Sequence, residues 1–241
     1  MPSGRRVPAR VALITGGSRG IGLAMARVFA REGYALVIMG RDRERLNSAV
    51  EQLEQSHAEV TALLCDVRDA TSVEEMFAEL RAKHQAIDVL INNAGVAHAL
   101  APVEKLSIAA WEDVIATNLT GTFLVTRAAL PLMHSGGTIV NNLSIAALQV
   151  FTGMAAYNAS KAGALAFTNV LREELRARGI RVLALLPGAT DTEIWQQFWP
   201  DAPRERMVST DAVAEAVLLA VKATANTAIE EIRIGPAGGA L

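Results

Sequence analysis

The chain has 241 residues, 51% of them hydrophobic and 20% charged, with a formal net charge of -2. That length and apolar content suit one α/β domain whose sheet is covered on both faces, and the near-neutral charge argues against a nucleic-acid or anionic-membrane partner. The sole cysteine, Cys65, excludes an intrachain disulfide, and no apolar run reaches the length of a membrane span, so a soluble cytoplasmic protein with a buried, inert thiol is expected.

Apolar runs alternate with helix-like periods along the whole chain. The first strand, 11–15, runs into a glycine-rich turn, Thr15-Gly16-Gly17-Ser18-Arg19-Gly20-Ile21-Gly22, that opens a helix over about 20–32. A strand at 35–39 ends in Gly40-Arg41 and is followed by a helix over 42–55. A strand at 60–65 and a helix over 70–84 come next, then a strand at 87–91 and a long loop, 94–109. A helix over 111–134 precedes the strand 138–142, and a helix over 155–178 precedes the strand 181–186. A second long loop, 188–209, leads to a helix over 211–223, with Asp211 as its N-cap, and to a last strand at 229–234. Such alternation predicts a parallel sheet with right-handed crossovers and helices on both faces. Ligands then bind beyond the carboxyl ends of the strands, the edge to which both long loops belong.

Gly16, Gly20 and Gly22 let the turn tighten and let backbone approach a pyrophosphate, which a helix N-terminus attracts. An acidic residue after the second strand would select NAD. Here Gly40 stands in its place and Arg41 follows, with Ser18 and Arg19 in the turn. Two guanidiniums suit a 2′-phosphate, so NADP(H) is expected over NAD(H), the alternative being a solvated Arg41. Tyr157 and Lys161, at i and i+4, share a helix face. An ammonium beside a phenol favours the phenolate, which predicts a lowered Tyr157 pKa and a general acid/base. Asn118 lies mid-helix, where asparagine is a poor choice unless function requires it.

With Ser144 thirteen residues before Tyr157, these segments resemble the short-chain dehydrogenase/reductase family, in its typical single-domain branch, from about Val11 to the C-terminus. The resemblance implies a Rossmann-like doubly wound parallel sheet of about seven strands, one domain over 1–241, and a short substrate lid at about 190–209. It implies a catalytic set of Asn118, Ser144, Tyr157 and Lys161: Tyr157 passes the proton, Ser144 holds the carbonyl, Lys161 bonds the nicotinamide ribose, and Asn118 completes a proton relay through water. Asp66 is expected on the adenine with Val67 beside the ring, unless Asp66 caps the next helix, a role open also to Asp69 and Thr71. Asn92 would tie neighbouring strands while Ala94 and Gly95 floor the cofactor site. Pro187, Gly188, Thr190 and Thr192 would clamp the nicotinamide carboxamide.

The lid aromatics Trp195, Phe198 and Trp199 either pack the lid or line the substrate pocket, whose wall is expected to include His98, Leu100, Ile145, Leu148 and Met154. His57 and His84 are expected at the surface, and no cluster has metal-ligand spacing. A small-molecule carbonyl or alcohol is the expected substrate. A 3-oxoacyl carrier-protein reductase, with Arg172 or Arg127 holding an acidic carrier, is an alternative, and a non-catalytic NADP(H) sensor is another. Apolar residues beyond one face of the helices 111–134 (Leu119, Phe123, Leu130) and 155–178 (Leu165, Phe167, Leu171) predict a homotetramer or dimer.

Overall fold

The computed structural model describes residues 9–224 and 226–239. Its seven strands are β1 (Val11–Thr15), β2 (Ala35–Gly40), β3 (Val60–Leu64), β4 (Ile87–Asn92), β5 (Met133–Asn142), β6 (Arg181–Pro187) and β7 (Glu231–Ile234). They form one sheet in the order β3-β2-β1-β4-β5-β6-β7, with every neighbouring pair parallel. The strand order reverses between β1 and β4, and the crevice at that point is where such sheets bind ligands. The sheet and its helices match the α/β, doubly wound arrangement expected from the sequence.

Side chains of period two divide the core between the two sheet faces. Ala12, Ile14, Leu36, Ile38, Val89, Ile91 and Val140 meet Met25 and Phe29 of α1 (Gly20–Arg31), Leu46 and Leu53 of α2 (Arg43–Glu54), and Val213 and Val217 of α7 (Thr210–Val221). Leu13, Val37, Met39, Leu90 and Ile139 meet Phe77 and Leu80 of α3 (Ala70–Lys83), and Val125, Leu171 and Leu175 on the opposite side. Both faces of the parallel sheet are thereby kept from water, which explains why its strands read as continuous apolar runs.

The structure corrects several boundaries. The helix expected over 111–134 begins earlier and ends sooner. Ser107 caps α4 (Ile108–Ile115), its hydroxyl accepting from the Ala110 N–H at 3.2 Å. A π-turn over Ala116–Thr120 links it to α5 (Gly121–Ala129), and Pro131 sits in the 3-10 turn that ends the helix, leaving Met133 to start β5. Ser209, not Asp211, caps α7, accepting from the Ala212 N–H at 3.1 Å. Asp211 instead lies in the first turn, where a carboxylate meets the positive end of the helix dipole. His84 is buried rather than at the surface; its Nε2 lies 3.3 Å from the Thr61 hydroxyl, and burial lowers its pKa. His57 is exposed, as expected. Cys65 is buried, and desolvation pushes its thiol up to about 11, leaving it protonated and inert at neutral pH.

Candidate active site

At the carboxyl edge of the sheet lies a cleft of about 910 Å³. The glycine turn forms one end. Gly16 and Gly20 have φ of +61° and +52°, in the left-handed region. A Cβ on Gly22 would stand 2.3 Å from the Gly16 carbonyl oxygen, so only glycine lets the helix rise this close to the turn. Gly22 thus shapes the turn from behind, while Gly16, Ser18, Arg19, Gly20 and Ile21 line the cleft. No side chain caps α1, which leaves its first N–H groups available to an anion.

Asn93 locks this turn, a role missed in the sequence. Its Nδ2 donates to the Thr15 and Gly16 carbonyls at 3.0 and 3.2 Å, and its Oδ1 accepts from Asn142 Nδ2 at 2.8 Å. Thr15 Oγ1 accepts from the Asn93 and Ala94 N–H groups, both at 2.8 Å. The adjacency Asn92-Asn93 was the available signal; successive residues of a strand point to opposite faces, so both could not serve one purpose. Asn92 points away from the cleft. Its Nδ2 donates to Asn141 Oδ1 at 2.8 Å and Thr126 Oγ1 at 2.9 Å, and Asn141 Nδ2 donates to Thr168 Oγ1 at 2.9 Å. It joins β4 to β5 and to both helices beneath and does not line the cleft.

Past β2 and β3, Arg41, Asp66 and Val67 line the cleft, as do Ala94 and Gly95 after β4. Asp69, not Asp66, caps α3, accepting from the Thr71 N–H at 2.9 Å. The Asp66 carboxylate is gripped instead by Arg68, through Nε to both oxygens at 3.0 Å and through Nη2 at 2.6 Å. That fork holds its pKa below the ordinary carboxylate value. Arg68 also reaches Asp113 of α4, a link that no local pattern reveals across 45 residues.

Ser144, Tyr157 and Lys161 meet at the other end. Ser144 follows β5 and opens a 3-10 turn, its Oγ accepting from the Ala146 N–H at 3.1 Å. Tyr157 and Lys161 lie in the first turns of α6 (Ala155–Arg176). Lys161 is only 6% exposed; its Nζ donates to the Asn142 carbonyl at 3.0 Å and stands 5.6 Å from the Tyr157 ring centroid. Desolvation lowers its pKa to about 8. The expected depression of Tyr157 by Lys161 is not found. Burial raises the phenol's pKa, with the Ser144 hydrogen bond acting the other way.

Asn118 sits in the π-turn and does not line the cleft. Its Oδ1 accepts from the Val96 N–H and its Nδ2 donates to the Val96 carbonyl, both at 2.9 Å, and to Ser160 Oγ at 3.0 Å. Ser160 donates to the Tyr157 carbonyl at 2.8 Å. Asn118 therefore pins the 94–97 segment against α6. A Cβ on Gly95 would stand 3.4 Å from Asn118 Oδ1 and 3.7 Å from Lys161 Nζ, so the three converge.

Pro187, Gly188, Thr190 and Thr192 line the cleft beyond β6. The Trp195 ring stacks near Phe198 and Trp199, with centroids 4.8 and 6.1 Å apart, and its Nε1 donates to the Thr190 carbonyl at 2.9 Å. All three aromatics also face the cleft, so they pack the lid and line the pocket at once. Leu100, Ile145 and Met154 complete the wall, joined by Gln149, Phe151 and Thr152, which the sequence reading missed. Leu148 and His98 do not line it. His98 is buried instead, its Nδ1 2.8 Å from the Ala99 carbonyl. Arg172 also differs from expectation: Nε and Nη2 donate to the Val182 and Glu230 carbonyls at 3.1 and 2.9 Å, so it fastens α6 to β6 and the segment before β7.

The glycine cradle, the uncapped helix start and the open crevice at the strand-order reversal fit a dinucleotide. The short chain dehydrogenase family matches residues 10–203. The chain belongs to the short-chain dehydrogenase/reductase family. Sulfoacetaldehyde reductase 2 of Chromohalobacter salexigens is 40% identical over 186 residues, 76% of this chain and 73% of that protein. D-threitol dehydrogenase of Mycolicibacterium smegmatis is 36% identical over 91% of this chain and 89% of its own length. An alcohol dehydrogenase from the archaeon Thermococcus sibiricus, solved with 5-hydroxy-NADP, superposes with a TM-score of 0.87 at 31% identity, covering 95% of this chain and 97% of that one. A serine dehydrogenase complexed with NADP+ gives 0.87 at 30% identity over 96% of each chain. This short-chain dehydrogenase/reductase is accordingly an oxidoreductase that uses a nicotinamide dinucleotide. No helix among its described residues is long and apolar enough to cross a membrane.

Proposed function

We propose that the protein reduces the carbonyl of a small molecule to an alcohol, and runs the reverse oxidation, preferring NADP(H) to NAD(H). The observation that carries this reading is the meeting of Ser144, Tyr157 and the buried Lys161 at one end of a cleft whose other end bears Arg19 and Arg41. The nicotinamide, when bound, supplies or accepts the hydride. Gly16, Ser18, Gly20 and Ile21 would hold its pyrophosphate, with Gly22 setting the turn, and Asp66, Val67, Ala94 and Gly95 would enclose the adenosine. Pro187, Gly188, Thr190 and Thr192 would orient the carboxamide. Tyr157 gives its phenolic proton to the carbonyl oxygen. Ser144 donates a hydrogen bond to the same oxygen and stabilises the charge that develops there. Ser144 is the group whose hydrogen bond opposes the effect of burial on the Tyr157 phenol, and Lys161 would bond the nicotinamide ribose hydroxyls. Asn118 holds the 94–97 segment and the Tyr157 backbone in place for this work. The lid aromatics exclude water and favour a substrate with an apolar body.

Arg172 is engaged by two backbone carbonyls, which favours a small substrate over a 3-oxoacyl group on an acidic carrier protein. The exposed Phe123 and Val170, with Phe167 against Phe123, support association as a homotetramer or dimer. The protein is proposed to act in the cytoplasm.

NADPH oxidation with a panel of ketones, aldehydes, diketones and 3-oxoacyl thioesters tests the activity; turnover of none would leave a nucleotide-sensing role. Cofactor choice is tested by kcat/KM for NADPH and NADH. A Cβ on Gly40 meets nothing closer than 3.7 Å, so a side chain can start there without a clash at its first atom. Gly40→Asp with Arg41→Ala should cost NADPH roughly 10- to 100-fold and leave NADH nearly unchanged or improved. Equal wild-type values for the two cofactors would sink the preference.

A further inference from the structure

The proposed NADP(H) site contains a carboxylate and a third guanidinium that have no role in the chemistry assigned to it so far. Glu193 opens the 3-10 turn Glu193–Gln197 at the start of the lid. One of its oxygens, Oε2, lies 2.6 Å from Arg19 Nη1 and 3.3 Å from Arg45 Nη1. Arg19 belongs to the glycine turn and Arg45 to the first turn of α2, so two elements remote in sequence converge on one lid oxygen. All three residues line the cleft, beside Arg41. Arg41 itself makes no hydrogen bond or ion pair with the described residues.

The pairs are built for exchange rather than permanence. The three side chains are 45%, 49% and 51% exposed, and ion pairs at such exposure contribute little. Arg19 keeps the Glu193 carboxyl below its ordinary pKa, so it carries a full negative charge at neutral pH. A phosphomonoester carries about -1.5 to -2 and offers three acceptor oxygens, against one charge and two oxygens on a carboxylate. Two guanidiniums that close on the weaker anion will close on the stronger one.

We propose that Glu193 is an internal stand-in for the cofactor's 2′-phosphate, and that Arg45 joins Arg19 in receiving that phosphate as it displaces the carboxylate. The proposal rests on the NADP(H) preference proposed for this site. It makes Arg45 and Glu193 specificity-determining residues of opposite sign: Arg45 favours the phosphorylated cofactor, and Glu193 competes with it. Asp42 places Arg45, its Oδ2 3.2 Å from Nε and its Oδ1 accepting the Arg45 N–H at 3.1 Å.

The test is calorimetric titration of the cofactor-free full chain with adenosine 2′,5′-bisphosphate and with adenosine 5′-monophosphate, which differ only at the 2′ position. Glu193→Gln should tighten the bisphosphate roughly two- to fivefold and leave the monophosphate unchanged. Arg45→Gln should weaken the bisphosphate roughly three- to tenfold, again with the monophosphate unchanged. Glu215→Gln removes the same charge outside the cleft, where it pairs with Arg31, and should change neither. A wild type that prefers the bisphosphate while Glu193→Gln and Arg45→Gln leave that preference untouched overturns this inference and spares the NADP(H) preference. So does a Glu193→Gln effect of equal size on both ligands. A wild type that binds the two ligands equally overturns both.

Discussion

Tyr157 and Lys161 are legible as a pair because a spacing of four on a helix by itself fixes their proximity. Their electrostatics are not, because burial is a property of the assembled cleft. Tyr157→Phe keeps the ring and removes only the proton donor. Turnover should fall roughly 10²- to 10⁴-fold while the NADPH dissociation constant stays within about twofold; stopped-flow kinetics and fluorescence titration measure the two. Lys161 makes a prediction about stability. Its ammonium is desolvated in the fold, with a pKa near 8 against an ordinary 10.5. Between those values the unfolded chain holds more protons at this position, so the folded state gains stability as pH rises and loses it as pH falls toward 8. Tyr157 is displaced upward and acts only around and above its ordinary 10.0, so it leaves the lower part of the window alone. Urea unfolding of the cofactor-free protein at about pH 7.5 and 9.5 should show wild type gaining roughly 2 kcal/mol relative to Lys161→Met. Parallel pH profiles for the two proteins would refute the assignment of a buried ammonium.

At the scale of elements, the strands are legible because a sheet buried on both faces writes itself as short apolar runs. Helix ends are less so. Ser107 caps a helix expected to begin only at 111, and Ser209 caps where Asp211 was expected to, since a cap depends on one backbone N–H two or three residues on and not on periodicity. The glycine turn is legible as a shape, but the lock on it, Asn93, reaches back 78 residues to Thr15. The closeness of that turn to its helix is open to direct test. With a Cβ 2.3 Å from the Gly16 oxygen and 2.5 Å from Asn93 Nδ2, Gly22→Ala should both break the lock and open the turn. A loss of about 1–3 kcal/mol in unfolding free energy is expected, together with weaker binding of any dinucleotide, with or without a 2′-phosphate. Gly33→Ala serves as comparison: its added Cβ meets nothing within 4 Å, although its φ of +76° carries a strain of its own. It should lower stability without touching dinucleotide affinity.

For the molecule as a whole, the proposed association rests on apolar residues in excess of one helix face. Phe123 is 44% exposed and Val170 56% exposed, and Phe123 meets Phe167 edge-on with ring centroids 6.1 Å apart. Leu171, included in the same expectation, is buried in the chain's own core and contributes nothing outside it. Phe123→Asp with Val170→Asp should leave the fold intact and shift sedimentation at micromolar concentration to the monomer. A wild type that already sediments as a monomer would remove the case for association.

The π-turn between α4 and α5 has a consequence for chain length. Such a turn takes up one residue more than an α-turn, so the helix carries a surplus residue within its own body. Deleting one residue of 116–120 would remove that surplus and let α-helix run through with α4 and α5 still in phase. Asn118 would leave its station on the Val96 backbone, which the turn sets, while Trp111 and Ile108, exposed on α4, would keep their place. A single-codon deletion there would thus disturb the cleft and spare the outer surface. In an alignment of relatives, a one-residue gap in this helix should fall within 116–120 and not in the turns on either side.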